Sequence, residues 1–506
     1  MSNNTVETHR GPYPTLSYPE TDIYSLIFGE LNEHDAQLLA ITELTTDNSV
    51  TYAELKAMAE AIAGELSARG IGAGDVVTLQ IPNSINFAAA LLGILRIGAI
   101  CNPVGMLMNQ ADVAHILEAS ESKLFIGPTN MEQVPQIFSM ELEAIARRNR
   151  TAPDIAVDVD SVAAIPFSSG TTGLPKGVQL THRNLVSNML QTNYMMERNG
   201  ITPTTPTLTV LPFSHIYGFT VLLLTPLMNR QHLFTLPKFD MQQFLRAHKD
   251  HDIAMTFIAP PMAVALAKDE TIDPEWFAAS RLILCGAAPI DADTTRHVEN
   301  RYGTKLIQAW GMTEASPVVT MNIHGETGIE SVGMPVPDSE IRVVALETTD
   351  DVARGEQGEI LVRGPQVMKG YLNNDKANAE IFVDGWMRTG DIGYIDDTGG
   401  LRIVDRAKEV IKYKGYQVAP AELEALLLGH PEVKDVGVVG ADQGGLEIPH
   451  AFVVKRDGAS VSEDELTEWV AERVTPYKKI RAVTFIGEVP RNPSGKILRR
   501  ELRART

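Results

Sequence analysis

A loop at residues 168–177 contains the residue types best suited to chemistry in this sequence. It reads Ser-Ser-Gly-Thr-Thr-Gly-Leu-Pro-Lys-Gly. Glycines such as Gly170 and Gly173 let the backbone turn its N–H groups inward, and such an array binds anions. Lys176 adds a point charge suited to phosphate. Further hydrogen-bond donors come from the hydroxyls of Ser168, Ser169, Thr171 and Thr172.

The surroundings of this loop favour a phosphate-binding hairpin over a flexible linker. Apolar runs at 163–167 and 178–180 flank it, as two buried strands would. The spacing differs from the Walker A pattern, which needs four residues between its first glycine and Gly-Lys-Ser/Thr. The loop therefore predicts a nucleotide-binding fold outside the P-loop NTPases.

Length and composition predict a globular protein with more than one domain. The chain has 506 residues, 44% of them hydrophobic and 21% charged, which is more chain than one core accommodates. Lys and Arg total 44 against 64 Asp and Glu, so the net charge is −20. This charge argues against nucleic acid or an anionic membrane as the main partner. Cys101 and Cys285 lie in apolar segments, which favours buried free thiols over a disulfide.

Targeting signals are not visible in the sequence. The first residues have neither a basic start nor an apolar stretch, and no run reaches the roughly 18 apolar residues of a membrane span. We therefore expect a cytoplasmic protein without a membrane span, present as a monomer or a homodimer.

Strand and helix patterns alternate from about residue 50. Thr51 and Glu54 form a predicted capping box ahead of an amphipathic helix, which Gly70 ends. Alternation of buried strands with helices predicts βαβ units, and hence parallel pairing, in three stretches: 76–104, 253–266 and 281–307.

After about residue 329 the pattern changes to short alternating strands, such as 341–345 and 358–363, separated by turns. This predicts a small β subdomain, with Thr389-Gly-Asp391 in a turn between short strands. Beyond residue 406 a helix is predicted from Pro420 to a stop at Gly429.

The last part of the chain is basic. Residues 473–505 contain ten Lys or Arg and two Glu. A solvated surface is the ordinary explanation for such a run, and a lid that approaches phosphates is the functional one.

Four further motifs follow the loop in order along the chain. With the loop, they resemble the motifs of the adenylate-forming superfamily of acyl-CoA synthetases, firefly luciferases and peptide-synthetase adenylation domains, over nearly all of residues 20–503. Within it, residues 358–364 and 404–424 are most similar to 4-coumarate–CoA ligase and its bacterial cinnamate-type relatives. The four motifs are Gly286-Ala-Ala-Pro289, Gln308-Ala-Trp-Gly-Met-Thr-Glu314, Thr389-Gly-Asp391 and Pro493-Ser-Gly-Lys496.

The resemblance implies an ATP-dependent acid–CoA ligase that works in two steps. A carboxylate attacks the α-phosphate of Mg-ATP to give acyl-AMP and pyrophosphate, and the thiolate of coenzyme A then attacks the acyl carbon. The implied fold is α/β, with a large N-terminal domain (residues 1–404) of two βα subdomains plus a small β subdomain. A hinge at residues 405–408, with Asp405 and Lys408, would lead to a mobile α+β C-terminal lid domain (residues 409–506).

The resemblance also implies where the nucleotide binds. Glu314 would hold Mg²⁺, which prefers hard oxygen ligands, and Thr313 would contact the α-phosphate. Asp391 would accept both ribose hydroxyls, while Arg406 donates to the same ribose. The other implied ATP or AMP contacts are the loop residues Ser168, Ser169, Gly170, Thr171, Thr172, Gly173 and Lys176, together with Gly286, Ala287, Gln308, Ala309, Trp310 and Gly311.

Several lysines near the C-terminus match family positions. Lys496 corresponds to the adenylation lysine, which bridges the substrate carboxylate and a phosphate oxygen as charge develops. Lys412 and Gln417 resemble the pair that serves thioester formation, with Lys414 and Gly415 beside the CoA tunnel.

The acid-binding positions favour an apolar substrate. His215 matches a family histidine at the carboxylate end of the acid, and the Asp with which amino-acid-activating domains bind an amine is missing there. Leu284 stands where plant coumarate ligases commonly have Lys, and Trp310 replaces a Tyr, keeping the stacking face without the hydroxyl. We expect a cinnamate-like aryl or medium- to long-chain acyl carboxylate rather than a dihydroxylated ring. The expected pocket consists of Tyr217, Val221, Leu284, Ala287, Gly311, Pro317 and Val318.

Three other functions compete with a CoA ligase. An acyl-AMP ligase would load a carrier protein, but the Lys-Tyr-Lys-Gly-Tyr-Gln stretch at 412–417 favours CoA. A light-emitting oxygenase needs a special substrate that nothing in the sequence demands. A non-catalytic scaffold would have lost Lys496, Glu314 or Asp391, and all three are present.

Overall fold

The computed structural model describes residues 8–168, 175–286, 290–346, 348–414, 416–444, 446–491 and 496–506. The chain forms two compact units. The larger unit contains Thr8–Ile341 and Val362–Met387, and the smaller unit contains Arg342–Leu361 and Arg388–Thr506. Across these ranges, no helix is long and apolar enough to cross a membrane. The predicted hinge at residues 405–408 stays a prediction.

The α-helices are mostly short. They are α1 (Ile23–Phe28), α2 (Glu33–Gln37), α3 (Tyr52–Ala68), α4 (Ile85–Arg96), α5 (Gln110–Ala119), α6 (Leu142–Ala146), α7 (His182–Arg198), α8 (Thr225–Met228), α9 (Met241–Asp250), α10 (Pro260–Lys268), α11 (Ala292–Tyr302), α12 (Asp375–Ile381), α13 (Pro420–Leu428), α14 (Glu463–Ala471) and α15 (Arg499–Arg503). A π-helix spans Tyr217–Leu224. Short 3₁₀ turns lie at Ser139–Glu141, Pro274–Phe277, Thr313–Ala315 and Pro476–Lys478.

The β-strands, in chain order, are β1 (His9–Arg10), β2 (Leu39–Glu43), β3 (Asn48–Thr51), β4 (Val76–Leu79), β5 (Ile100–Pro103), β6 (Leu124–Gly127), β7 (Gln136–Phe138), β8 (Val162–Ala164), β9 (Phe167–Ser168), β10 (Lys176–Thr181), β11 (Thr207–Thr209), β12 (Leu233–Thr235), β13 (Met255–Ile258), β14 (Leu282–Cys285), β15 (Lys305–Gly311), β16 (Val318–Met321), β17 (Met334–Pro335), β18 (Glu340–Val344), β19 (Gly358–Arg363), β20 (Gly370–Tyr371), β21 (Phe382–Val383), β22 (Trp386–Ile395), β23 (Leu401–Arg406), β24 (Ile411–Tyr413), β25 (Tyr416–Val418), β26 (Val433–Asp442), β27 (Glu447–Lys455) and β28 (Ala482–Phe485).

One sheet of the larger unit has the order β20-β10-β8-β5-β4-β6-β7, with β9 on β10. Strands β4, β5 and β6 pair in parallel, which confirms the βαβ unit predicted at 76–104. The capping box is present too: Glu54 N donates to Thr51 Oγ1 (3.2 Å) and Thr51 N donates to Glu54 Oε2 (2.8 Å). These bonds satisfy two amide donors at the start of α3.

A second sheet of the larger unit has the order β17-β16-β15-β14-β13-β11-β12-β2-β3. Strands β13, β14 and β15 pair in parallel, with α10 and α11 as the intervening helices, as predicted. Residues Leu282–Cys285 of β14 are buried throughout. Cys101 and Cys285 are buried free thiols, so the expectation of two thiols is confirmed. The expected α/β class follows from these two sheets.

The smaller unit combines strands with packed helices. Strands β18, β19, β22 and β23 are successive neighbours, as the predicted β subdomain requires. Strands β26, β27 and β28 form another sheet. Helix α13 begins at Pro420 and has Gly429 as its C-cap, as predicted. The core of this sheet and its helices includes Leu423, Leu427, Val436, Val438, Ala451, Val453, Leu466 and Val470.

One local prediction was wrong. Thr389-Gly-Asp391 lies inside β22, a ten-residue strand, and not in a turn between short strands. Gly390 has φ = +71°, and Ala407 N donates to its carbonyl (2.8 Å). Glycine and aspartate are common in turns, which is why the triplet looked like one, but glycine also adopts a left-handed conformation within a strand at no steric cost.

Several residues of the basic C-terminal segment form ion pairs inside the smaller unit. Glu424 accepts two hydrogen bonds from Arg499 (2.9 and 2.7 Å). Further pairs include Arg473–Glu472, Lys478–Glu422, Arg491–Asp435 and Arg503–Glu409. Much of the positive charge of this segment therefore has a partner within the smaller unit, and the two interpretations of the segment stay predictions.

Candidate active site

The strands beside the predicted phosphate loop form a hairpin. Strand β9 pairs antiparallel with β10, and Lys176 lies opposite Ser168. Both side chains are partly exposed. The loop residues predicted to bind phosphate, Ser169, Gly170, Thr171, Thr172 and Gly173, lie outside the described residues. The two strands thus fix the two ends of the loop and place a hydroxyl and an ammonium group at its base.

Glu314 lies beside the base of this hairpin. It belongs to the short turn Thr313–Ala315 and is only 7% exposed. Ser168 Oγ donates to Glu314 Oε1 (3.3 Å) and so does Tyr371 Oη (2.9 Å). Thr313, the residue predicted to contact the α-phosphate, is partly exposed in the same turn. The structure therefore joins two predicted site residues, Ser168 and Glu314, that are 146 positions apart.

Tyr371 is a residue of this cluster that the sequence reasoning missed. The Lys176 ammonium lies 4.7 Å from the centre of its ring, within the range of a cation–π contact. Burial raises the pKa of Tyr371, and the charge and hydrogen bond of Glu314 raise that pKa further. The hydroxyl therefore stays protonated and remains a donor. The signal in the sequence is weak, because Tyr371 follows the loop by almost 200 residues and lies in none of the five motifs.

The predicted adenine-flanking residues lie at the ends of β14 and β15. Gln308 is buried, and its side chain bonds to backbone: Oε1 accepts from Ile290 N (3.2 Å) and Nε2 donates to Ile329 O (3.1 Å). Ala309 and Trp310 are partly exposed. A Cβ at Gly311 would overlap the carbonyl oxygen of Pro317, so only glycine fits. Ala287 lies outside the described residues.

Two of the predicted acid-binding residues, Tyr217 and Val221, belong to the π-helix. Tyr217 begins this helix, and its ring packs edge-on against Phe257 (6.1 Å between centroids). A Cβ at Gly286 would approach the Tyr217 ring at 3.1 Å. Burial raises the pKa of Tyr217 above its ordinary value, so its hydroxyl, 3.5 Å from Leu284 O, stays protonated. The side chains of Val221, Leu284, Pro317 and Val318 are buried.

His215 immediately precedes this helix. Its Nδ1 accepts a hydrogen bond from Tyr217 N (3.3 Å), and its carbonyl oxygen accepts one from Phe219 N (2.8 Å). Because Nδ1 is an acceptor, a neutral ring has its proton on Nε2. The imidazole is therefore set up as an Nε2–H donor.

The two residues predicted to bind ribose lie side by side in the smaller unit. Asp391 of β22 is opposite Arg406 of β23, and Arg406 Nε lies 3.2 Å from Asp391 Oδ1. Asp391 N donates to Thr389 Oγ1 (3.0 Å), whose hydroxyl donates to Ile360 O (2.8 Å). The strand pairing thus brings the predicted acceptor and donor together.

Asp405, predicted in the hinge, is buried at the end of β23. Its carboxylate accepts from Arg406 N (2.7 Å) and from Ala421 N in the first turn of α13 (3.0 Å). Burial raises the pKa of Asp405, and the charge of Arg499 opposes that rise. Lys408, the other predicted hinge residue, is exposed.

The residues predicted for thioester formation lie on a short hairpin. Strand β24 pairs antiparallel with β25, and Lys412 is opposite Gln417. Lys412 and Lys414 have exposed side chains, and Lys414 adopts φ = +50°. Gly415 lies outside the described residues. Lys496, the predicted adenylation lysine, is partly exposed just before α15.

Glu314 is the carboxylate that the structure places at the base of the hairpin, next to Ser168. In the described ranges no group of three or more His, Cys, Asp or Glu side chains could hold one. Mg²⁺ is usually bound through one or two carboxylates together with substrate phosphates and water. The Glu314 carboxylate accepts hydrogen bonds from the hydroxyls of Ser168 and Tyr371. It therefore fits a Mg²⁺ ion that binds together with a nucleotide.

Comparison with known proteins identifies the class of enzyme. The model of the AMP-binding enzyme family matches residues 31–372, and the model of the AMP-binding enzyme C-terminal domain matches residues 422–496. The chain belongs to the AMP-binding enzyme family. The predicted adenylate-forming family and the prediction of an enzyme are therefore confirmed.

Individual relatives sharpen this result. The chain is 36% identical to 4-coumarate–CoA ligase 1 of Solanum tuberosum over 98% of its own length and 96% of the relative's. It resembles the ATP-bound structure of MatB from Rhodopseudomonas palustris (TM-score 0.89, 27% identity, 96% and 99% of the two chains). It also resembles o-succinylbenzoate–CoA synthetase of Bacillus subtilis in complex with ATP and magnesium ion (TM-score 0.83, 28% identity, 94% and 98% of the two chains). The predicted likeness to 4-coumarate–CoA ligases, and with it a CoA-ligase type of enzyme, is confirmed.

Proposed function

We propose that the protein joins a carboxylic acid to coenzyme A in two ATP-dependent steps. First, a carboxylate oxygen attacks the α-phosphorus of ATP, the bond to pyrophosphate breaks, and acyl-AMP forms. Next, the thiolate of coenzyme A attacks the acyl carbon, the bond to AMP oxygen breaks, and AMP leaves with the electron pair. The thiol proton passes to solvent. Family membership and the names of the relatives support this sequence of steps.

The observation that carries the proposal is the cluster of Ser168, Lys176 and Glu314. It combines a hydroxyl donor, an ammonium group and a buried carboxylate at the base of one hairpin. These are the groups that a nucleotide triphosphate and its metal ion require. Bound Mg²⁺ would neutralise phosphate charge, and Glu314 is the residue proposed to hold it.

Further residues have proposed roles in adenylation. His215 would donate from Nε2 to the substrate carboxylate, since Nδ1 is already an acceptor. Lys496 would neutralise charge on the carboxylate and a phosphate oxygen as pyrophosphate leaves. Asp391 and Arg406 would bind the ribose, and Thr313 the α-phosphate. The adenine would lie against Gly286, Ala287 and Gln308–Gly311, and the phosphates against residues 168–173 and Lys176.

The second step would use the smaller unit. Lys412 and Gln417 would serve thioester formation, and Lys414 and Gly415 would lie beside the pantetheine chain. The register that pairs Lys412 with Gln417 supports treating them as one functional pair. Rotation at residues 405–408, between domains at 1–404 and 409–506, would remove Lys496 from the active site after adenylation. The same rotation would bring Lys412 and Gln417 into the active site for thioester formation.

The acid is proposed to be a cinnamate-like aryl or a medium- to long-chain acyl carboxylate. Support comes from the buried, apolar side chains of Val221, Leu284 and Val318, which are among the residues expected to form the pocket. A ring hydroxyl buried there without a partner would cost about 1–3 kcal/mol. A dihydroxylated ring is therefore disfavoured.

One assay tests this function directly. The purified protein is incubated with ATP, Mg²⁺ and a panel of cinnamic, benzoic and C6–C16 fatty acids, and acyl-AMP and thioester are measured separately. We expect acyl-AMP in every productive reaction and acyl-CoA when coenzyme A is added. Thioester on a phosphopantetheinylated carrier protein but not on coenzyme A would instead identify a carrier-loading ligase. Absence of acyl-AMP with all acids would overturn the proposal.

A further inference from the structure

Tyr371 contacts both charged groups at the base of the phosphate hairpin. Its hydroxyl donates to Glu314 Oε1 (2.9 Å), and the Lys176 ammonium lies over its ring (4.7 Å). The side chain is 7% exposed. One buried side chain therefore contacts both groups, the carboxylate through its hydroxyl and the ammonium through its ring.

The backbone of Tyr371 is held on several sides. Strand β20 pairs with β10, with Tyr371 opposite Val178. The amide of Asn378 clamps the residue, since Oδ1 accepts from Tyr371 N (2.7 Å) and Nδ2 donates to Tyr371 O (3.0 Å). Gly370 has φ = +150°, and a Cβ there would lie 3.0 Å from Asn378 Oδ1. The backbone of Tyr371 is therefore fixed, and this restricts where its side chain can lie.

The segment before Tyr371 also holds the backbone of Glu314. Met368 N donates to Glu314 O (2.8 Å), so residues 368–371 fix both the main chain and the carboxylate. Ser168 and Tyr371 both donate to Oε1. A carboxylate with two donors on one oxygen has a set rotation, and the other oxygen, Oε2, lies outside these two bonds.

We propose that Tyr371 is a positioning residue that orients Glu314 for Mg²⁺ through its hydroxyl and positions the Lys176 ammonium for the phosphates through its ring. This inference rests on the proposed function of the same site. In this proposal the Tyr371 hydroxyl orients Glu314, and the Tyr371 ring positions the Lys176 ammonium. The two contacts can therefore be removed one at a time.

Two variants separate these roles. Tyr371→Phe removes the hydroxyl and keeps the ring, and Tyr371→Leu removes both. Binding of ATP to the full-length variants is measured by titration calorimetry in excess Mg²⁺ and again in EDTA. Replacing a group that orients a metal ligand typically weakens metal binding about 10–100-fold. We expect Tyr371→Phe to weaken ATP binding at least tenfold in Mg²⁺ and to leave it within twofold in EDTA. Tyr371→Leu should weaken ATP binding under both conditions.

Tyr302→Phe is the matched control. Tyr302 is also buried, and its hydroxyl donates to Leu266 O (2.8 Å), so the variant loses a buried hydroxyl bond away from Glu314. Thermal unfolding of all variants shows whether they fold. The control should bind ATP like the wild type in both buffers.

The outcomes distinguish this inference from the proposed function. If ATP binding by the wild type does not depend on Mg²⁺, the metal role of Glu314 itself fails, and this inference fails with it. Suppose that the wild type binds ATP more tightly in Mg²⁺ than in EDTA. If Tyr371→Phe then binds ATP as tightly as the wild type in Mg²⁺, or weakens ATP binding equally in Mg²⁺ and in EDTA, only the inference is overturned. In a Glu314→Gln background, Tyr371→Phe should cause no further loss in Mg²⁺; an additive loss would contradict the coupling.

Discussion

Glu314 in the larger unit is buried and bonded by Ser168 and Tyr371, whereas Lys412 and Lys414 in the smaller unit are exposed. In the first site the charged side chains have defined contacts: Glu314 accepts two hydrogen bonds, and Lys176 lies over the ring of Tyr371. The second consists of exposed lysines on the β24–β25 hairpin, while other charged side chains of the smaller unit form ion pairs such as Arg499–Glu424.

The difference indicates how each unit controls charge. A group that must bind a metal ion in one geometry benefits from fixed donors, because no reorganisation is then needed during the reaction. A lysine that acts in only one of the two steps depends more on a stable domain that carries it than on a fixed hydrogen-bond partner. We therefore expect that replacing the lysines slows catalysis. Breaking a buried ion pair such as Arg499–Glu424 should instead lower the free energy of unfolding.

The largest effect is expected from Arg499. It lies on α15, three residues after Lys496, and its pair with Glu424 is 16% and 11% exposed. Arg499→Met should lower the free energy of unfolding by about 3–5 kcal/mol, because it leaves a buried carboxylate without its partner. Urea denaturation measures this change. Arg473→Met, which breaks an exposed pair with Glu472, is the control and should cost no more than about 1 kcal/mol. Equal losses would show that the support does not depend on the buried pair.

The next effect is chemical and concerns Lys496. Lys496→Ala should slow acyl-AMP formation about 10²–10³-fold, because its charge is needed as pyrophosphate leaves. Thioester formation from supplied acyl-AMP should remain largely intact. Rapid-quench measurement of each half-reaction tests this. Lys434→Ala, which replaces an exposed lysine of the same unit, is the control. Equal damage to both half-reactions would remove Lys496 from its proposed role.

Lys412 and Gln417 should show the reverse bias. Lys412→Ala or Gln417→Ala should leave acyl-AMP formation near the wild-type rate and slow thioester formation at least about tenfold, or about 1.4 kcal/mol. The reason is their pairing on the hairpin proposed to serve the second step. Conversion of supplied acyl-AMP to acyl-CoA is measured, with Lys434→Ala again as control. Unimpaired conversion in both variants would contradict this part of the proposal.

The smallest effect concerns substrate choice in the larger unit. The wild type should use cinnamate at least as well as caffeate, because Leu284 offers a ring hydroxyl no hydrogen bond. Leu284→Lys should shift the ratio of kcat/KM toward the hydroxylated ring. Leu284→Met controls for packing, since it changes shape without adding charge. A wild-type preference for caffeate of tenfold or more would show that another polar group faces the ring.

Much of the fold was predictable from local patterns. The capping box at Thr51, the parallel strands around 76–104 and the helix from Pro420 to Gly429 follow from periodicity and caps, which act over a few residues. The strand that contains Thr389-Gly-Asp391 was missed, because glycine and aspartate favour turns in isolation. Pairing with β23 across Asp391 and Arg406 overrides that preference.

The sequence by itself determined the family and the candidate residues, because ordered motifs of glycine, hydroxyl, carboxylate and lysine are local and chemically specific. Only the tertiary structure decided which of them meet. The contacts of Tyr371 with Glu314 and of Arg499 with Glu424 join residues 57 and 75 positions apart. Such contacts depend on strand order and helix packing, which no short window of sequence contains.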